Sequence, residues 1–232
     1  MSVFFEETII TSRPYREYCD MFALTTGDLH DRRILDCGAG GSSFCAEGRA
    51  LGMDITAADP HYDLAGEQMA ELARAGMDRA NRFITENIRN YTWRYFADMA
   101  DYNRTRTEST HKFIDHYQQP ASHGMYVAAG LPELPFEDGE FDLSLCGHFL
   151  FTYADRLDFD FHEAALRELV RVSRDQVRVF PLLDRESHAC EFVKDLRDAL
   201  LGDGIHSAVM SVPYEFQDGG NEMLVLQRRT FR

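Results

Sequence analysis

The sequence predicts a doubly wound α/β fold: a seven-stranded, mostly parallel sheet with one antiparallel strand, helices on both faces and a helical insertion. Three observations carry this expectation. Residues 33–58 read as strand, glycine turn, helix and strand, which is a right-handed βαβ unit. Beyond them, short apolar runs alternate with amphipathic stretches, as parallel strands and crossover helices require. Finally, two strand-like runs, 208–216 and 222–227, flank Gln217-Asp218-Gly219-Gly220-Asn221, a hairpin signal that inserts an antiparallel strand.

Taken in order, residues 1–30 form an N-terminal helical cap. A polar lead precedes Pro14, a plausible helix opening, and Tyr15, Tyr18, Cys19, Phe22 and Ala23 make a helix-spaced apolar face that ends near Gly27. Ile34-Leu35 suit a short strand covered on both faces, and the small residues from Gly38 to Ser43 form a tight turn whose N–H groups are expected to point unpaired at a ligand. Phe44, Cys45, Ala46 and Leu51 belong to the next helix, which Gly52 closes. The second strand, Met53 to Ala58, runs into Asp59-Pro60.

Residues 64–75 supply the helix that the fold needs before a third strand at 125–129. The surplus, about 80–122, is read as a helical insertion, since Ile88, Tyr91, Tyr95, Met99, Tyr102, Phe113 and Tyr117 recur at helical spacing. Its aromatic residues Tyr91, Trp93, Tyr95, Phe96 and Tyr102 suit a lid over the acceptor substrate, and equally a cement between helices or a dimer surface. Residues 142–146 form a fourth strand, 176–181 a fifth, and 188–201 a further helix stopped by Gly202 and Gly204. Asp158, Asp160, His162 and Glu163 cluster at the start of an amphipathic helix, where capping and the helix dipole explain them and no metal is needed.

Asp59 stands 21 positions after Gly38, where a ribose diol would need an acceptor. With the glycine turn this implies an adenosine-containing ligand. The chain resembles class I S-adenosylmethionine-dependent methyltransferases, on three blocks: Ile34-Leu35-Asp36-Cys37-Gly38-Ala39-Gly40, Asp59, and Leu134-Pro135-Phe136-Glu137-Asp138-Gly139-Glu140-Phe141-Asp142-Leu143-Ser144-Leu145. The terminal hairpin is that family's topological mark. The resemblance covers about residues 30–58 and 124–228 and leaves the insertion outside.

It implies a Rossmann-like methyltransferase domain spanning residues 1–232, with S-adenosyl-L-methionine as cofactor and the N-terminal segment over the cofactor mouth. Asp36 would orient the glycine turn or the donor's amino group; Cys37, Gly38, Ala39 and Gly40 would admit its methionine and ribose parts; Asp59 and Pro60 would close on the ribose. Gly130 occupies the position where many relatives carry an acidic residue facing adenine, which leaves that recognition to backbone near Leu131 or to Glu133. Ser42 stands where the turn often has its third glycine. Cys146 and Gly147 end the fourth strand beside the ligand, and His148 and Tyr153, just beyond, are candidates for general base or substrate clamp, with a purely structural role as the alternative.

With 39 acidic against 24 basic residues, a net charge of -15 and no basic run, the chain should avoid nucleic acid, so a small-molecule acceptor is expected. No signal segment or membrane-length apolar run is visible, and the five cysteines lack metal-like spacing, which together suggest a cytoplasmic protein with reduced thiols. Two other classes compete: a non-catalytic S-adenosylmethionine-binding sensor or scaffold, which the glycine at position 130 leaves open, and a nicotinamide-dependent oxidoreductase, against which Asp36, the Leu134-Pro135-Phe136 block and the hairpin all stand. The oligomeric state is undetermined.

Overall fold

The computed structural model describes residues 9–228, so the polar lead of the N-terminal cap lies outside the described residues. Seven strands form one sheet: β1 (Arg33–Cys37), β2 (Asp54–Asp59), β3 (Tyr126–Ala128), β4 (Phe141–Gly147), β5 (Ser173–Phe180), β6 (His206–Ser211) and β7 (Glu222–Gln227). Their order is β3-β2-β1-β4-β5-β7-β6. The pairs among β1 to β5 are parallel, and β7 runs antiparallel to both β5 and β6, as the hairpin required.

Alternate residues of each strand feed two cores, as strand geometry dictates. Ile34, Ile55, Leu143 and Leu145 face α1 (Tyr15–Met21), α3 (Phe44–Ala50), α4 (Gly66–Glu86) and α5 (Met99–Tyr117). Leu35, Val177, Val179 and Leu224 face α6 (Phe159–Val172) and α7 (Val193–Gly202). A short helix, α2 (Thr26–Leu29), precedes β1; there the Thr25 N–H donates to Asp28 Oδ2 at 2.8 Å. The Asp158 side chain accepts from Phe161 N, so the start of α6 is capped as expected. Gly52, at φ +83°, ends α3 in the left-handed region.

Several boundaries differ from the sequence reading. Helix α4 runs to Glu86 instead of stopping near Ala75, because its buried stripe of Met69, Ala70 and Ala73 continues through Ala80 and Ile84. Helix α7 starts at Val193 instead of His188: the Asp184 carboxylate accepts from Glu186 N and His188 N, at 2.8 and 2.9 Å, and holds that stretch in a turn. The β6 strand stops at Ser211 because the chain from Val212 to Phe216 turns aside to meet the insertion. There Thr92 N donates to Phe216 O at 2.7 Å, and the Tyr95 and Tyr214 rings lie 4.6 Å apart.

Candidate functional site

Both the glycine turn and the β4 extension leave the C-terminal ends of adjacent parallel strands, where an open α/β sheet forms its crevice. Gly38 and Gly40 have φ of +73° and +55°, a backbone conformation that disfavours a side chain. The N–H groups of the turn, however, are not left free for a ligand. Gly38 and Ala39 donate to Ala58 O, Gly41 to Thr11 O, Ser42 to Ala39 O and Ser43 to Arg13 O. Gly40 donates to Asp59 Oδ2 at 3.0 Å. The turn is thus an uncharged, close-approach surface instead of the anion hole that its sequence suggests.

The segment 9–13 lies across this turn, and glycines make the approach possible. A Cβ on Gly41 would stand 2.9 Å from Ser12 Oγ, and one on Gly76 of α4 would stand 2.2 Å from the Ile10 carbonyl oxygen. Sequence reasoning missed this strap, although Gly76, in the interior of a helix, is a signal that something packs closely there.

Two carboxylates flank the turn. Asp59 ends β2; besides Gly40, its Oδ1 accepts from His61 N at 3.1 Å and hydrogen-bonds His61 Nδ1 at 2.8 Å. A carboxylate has about four lone-pair sites, so this leaves capacity for one further donor, such as one hydroxyl of a diol. Asp36, 1% exposed, accepts from Tyr18 Oη at 3.2 Å, and its Oδ2 has no protein partner. Burial, reinforced by the nearby Asp59 charge, pushes the Asp36 carboxyl up to about 8 against an ordinary 3.8, despite the Tyr18 hydrogen bond.

A cleft opens over these groups. Ten of the predicted residues line it: Cys37, Gly38, Ala39 and Gly40 from the turn; Asp59 and Pro60 from the end of β2; Gly130 and Leu131 after β3; and Gly147 and His148 after β4. Asp36, Cys146 and Tyr153 do not. Asp36 sits behind Tyr18, which does line the cleft, and Cys146 is buried in the core beneath it. Glu133 is exposed and lies outside the cleft lining, so adenine recognition through its side chain finds no support. Arg13, Ser42, His61 and Phe149 are lining residues that sequence reasoning did not assign to the site.

A second cavity adjoins the first, and Ile9, Thr11, Arg13 and His148 line both. Tyr153 belongs to this second space; its hydroxyl accepts from Ile9 N at 2.8 Å. Tyr91 and Tyr102 also line it, while Trp93, Tyr95 and Phe96 pack against Phe216, Tyr214 and one another, so the aromatic cluster of the insertion divides between wall and cement.

His148 stands at the junction with φ +51°, unusual for a residue with a side chain. Its N–H donates to Phe180 O at 2.6 Å, its ring lies 5.3 Å from that of Phe180, and its buried Nδ1 has no protein partner. Burial, then the Arg13 and Arg106 charges, hold its pKa well below the ordinary histidine value, so the ring is neutral at neutral pH. Beneath the second cavity, Arg106 donates to both carboxylate oxygens of Glu17, at 2.5 and 2.6 Å, and Tyr214 Oη adds a third bond at 2.7 Å. Burial alone would raise the Glu17 carboxyl, but the Arg106 guanidinium holds it below its usual value.

Comparison with known proteins agrees with this architecture. A family model described as a methyltransferase domain matches residues 89–180, which takes in part of the insertion as well as β3, β4 and β5. An uncharacterized protein of Methanocaldococcus jannaschii, MJ0045, is 32% identical over 224 residues, covering 96% of this chain and 97% of that one. Among solved structures, the methyltransferase domain of bacterial CtHen1 aligns with TM-score 0.51 at 11% identity, over 92% of this chain and 97% of its own, which speaks for the fold alone. A putative S-adenosyl-L-methionine-dependent methyltransferase of Methanococcus maripaludis aligns with TM-score 0.47 at 13% identity, over 94% and 84%. Near full-length similarity makes the M. jannaschii protein a homologue, and with the methyltransferase-domain match, the sheet order and the terminal hairpin, the chain belongs to the class I S-adenosylmethionine-dependent methyltransferase family.

Proposed function

We propose that the protein methylates a small-molecule acceptor, with S-adenosylmethionine in the cleft over the glycine turn and the acceptor in the adjoining cavity. The observation that carries this reading is the shared wall: Ile9, Thr11, Arg13 and His148 line both spaces, at the C-terminal end of β4. The cleft fits such a donor. Asp59 has acceptor capacity for one ribose hydroxyl, Asp36 Oδ2 is an orphaned buried acceptor for an ammonium reached past Tyr18, and Gly38 and Gly40 leave room for close approach.

When bound, the donor supplies a methyl group already activated by its sulfonium. What the chain contributes is alignment and exclusion of water, and orientation of this kind contributes about 7–11 kcal/mol. Asp59 ties the ribose site to the turn through Gly40, so the same carboxylate positions ligand and backbone. His148 Nδ1 takes the proton of a hydroxyl or ammonium acceptor, and Tyr153 helps clamp it. The insertion, through Tyr91 and Tyr102, acts as the lid of the acceptor space.

The net charge of -15 disfavours a nucleic-acid acceptor, and the five free thiols fit a reducing cytoplasm. Among the described residues, no helix is long and apolar enough to cross a membrane. The test is calorimetric titration with S-adenosylmethionine and S-adenosylhomocysteine, beside Asp59→Ala, followed by an acceptor screen. Saturable binding lost in the variant supports the donor site; absence of binding to the parent protein refutes it, and binding without turnover on any acceptor favours a sensor or scaffold.

A further inference from the structure

The second cavity has an electrostatic character opposite to that of the chain. Among the described residues Arg13, Arg106 and Arg185 line it and no Asp or Glu does, although acidic residues outnumber basic ones in the sequence by 39 to 24. Among the described residues, two carboxylates meet these three guanidiniums. Glu17 is engaged by Arg106 and, at 3.6 Å, by Arg13; Asp155 is 3.1 Å from Arg185 and is also held by Arg156 at 3.3 Å. Among the described residues the lining therefore carries a surplus of positive charge, and the Arg185 side chain is 24% exposed.

An independent observation points the same way. Of nine buried side-chain polar atoms without a hydrogen-bond partner among the described residues, four belong to residues lining this cavity: Arg106 Nε, His148 Nδ1, Thr152 Oγ1 and Arg13 Nε, which keeps only its 3.6 Å ion-pair contact with Glu17. The Arg106 side chain is only 3% exposed. Three of these four atoms sit on residues that donate or can donate a hydrogen bond without titrating to an anion. The rest of the lining is aromatic and apolar, with Phe83, Tyr91 and Phe216 offering ring surface. The Arg185 guanidinium lies 6.0 Å from the Phe83 ring and 5.4 Å from the Tyr153 ring, within reach of a cation–π contact with each.

We infer that this cavity takes an acceptor with a planar apolar body and an oxyanion group, the body against Phe83, Tyr91 and Phe216 and the oxyanion facing Arg185 and Arg13. The inference rests on the proposed reading only in calling the ligand an acceptor; the charge and shape argument stands on the cavity itself. A carboxylate and a phosphate share the chemistry that a guanidinium recognises, bidentate acceptance in a plane. His148, on the shared wall, then meets the part of the body nearest the donor.

The experiment is calorimetric titration of the full chain, with and without S-adenosylhomocysteine, using three matched probes: 2-naphthoate, 2-naphthyl phosphate and the uncharged 2-naphthamide. The anions are expected to bind about tenfold or more tightly than the amide. Arg185→Gln should bring that preference to about threefold or less, and Arg185→Lys should restore part of it. The tighter of the two anions identifies the oxyanion. Equal binding of amide and anions, failure of all three to bind, or a preference that survives Arg185→Gln would overturn the inference. Failure of S-adenosylhomocysteine to bind, with the anion preference intact and dependent on Arg185, would instead remove the methyltransferase reading and leave this one standing.

Discussion

The two adjoining cavities are built from different materials. Around the cleft over the glycine turn the amides are satisfied by Ala58 O, Thr11 O, Arg13 O, Ala39 O and the Asp59 carboxylate, and Tyr62 Oη donates to Gly40 O, so its floor is backbone held mainly by backbone. The second cavity is walled by side chains that arrive from distant parts of the chain, and its base is the buried Glu17–Arg106–Tyr214 network, in which Glu17 and Tyr214 are 197 positions apart. A floor of backbone tolerates changes of side chain and fixes one ligand; a wall of side chains is free to vary and sets specificity.

The largest expected effect would break the side-chain wall. Arg106→Met leaves the Glu17 carboxylate buried without its cation, and unfolding in denaturant should show a loss of about 3–5 kcal/mol. A Glu17→Met/Arg106→Met double variant should recover most of that loss, because both desolvated charges are gone. If the single variant is as stable as the parent, the network is not what supports the cavity.

Next comes the strap that both spaces share. Gly76→Ala directs a methyl at the Ile10 carbonyl, 2.2 Å away, and should cost about 1–3 kcal/mol as segment 9–13 shifts. Affinity for S-adenosylhomocysteine and for 2-naphthoate should fall together. A loss confined to one ligand would show that the two spaces are less tightly joined than their common wall implies.

A sharper probe of the junction is pH. Because burial and two arginines keep His148 neutral well below the usual histidine range, the acid limb of kcat/KM should fall below about pH 6.5, and His148→Ala should remove it. An acid limb at or above that value, or one unchanged in the variant, would reassign the base.

The smallest effect concerns the donor side. Asp36 is mostly protonated at neutral pH, its carboxyl held up to about 8, and a neighbouring ammonium would favour the ionised form. Binding of S-adenosylmethionine near pH 7 should therefore release up to about one proton, read as a dependence of the binding enthalpy on the buffer's ionisation enthalpy and abolished by Asp36→Asn. The same substitution should also stabilise the free protein. Unfolded, the carboxyl ionises near 3.8, and folded near 8, so the native state holds a proton that the unfolded state has lost, and the gain should grow from pH 4 to pH 8.

Local chemistry made much of the fold legible. The strand–turn–helix unit, the left-handed glycines, the Asp158 cap and the hairpin at 217–221 each express preferences that act within a few residues, and each predicts its own neighbourhood. The misplaced boundaries are cases where tertiary contacts prevailed. Helix α4 gains its last turns from burial of Ala80 and Ile84, and β6 ends early because Thr92 and Tyr95 engage Phe216 and Tyr214.

Sequence alone determined the sheet, its antiparallel closure and ten of the residues that line the cleft over the glycine turn, since turn chemistry and strand periodicity are written in adjacent positions. Only the tertiary structure decided that the turn's amides are already bonded, that Asp36 stands behind Tyr18, and that Arg13, Arg106 and Arg185 converge on one cavity. The physical reason is range. A backbone conformation is decided by its neighbours, whereas a charge lining a cavity depends on which distant helix or loop the packing brings beside it, and no local pattern records that choice.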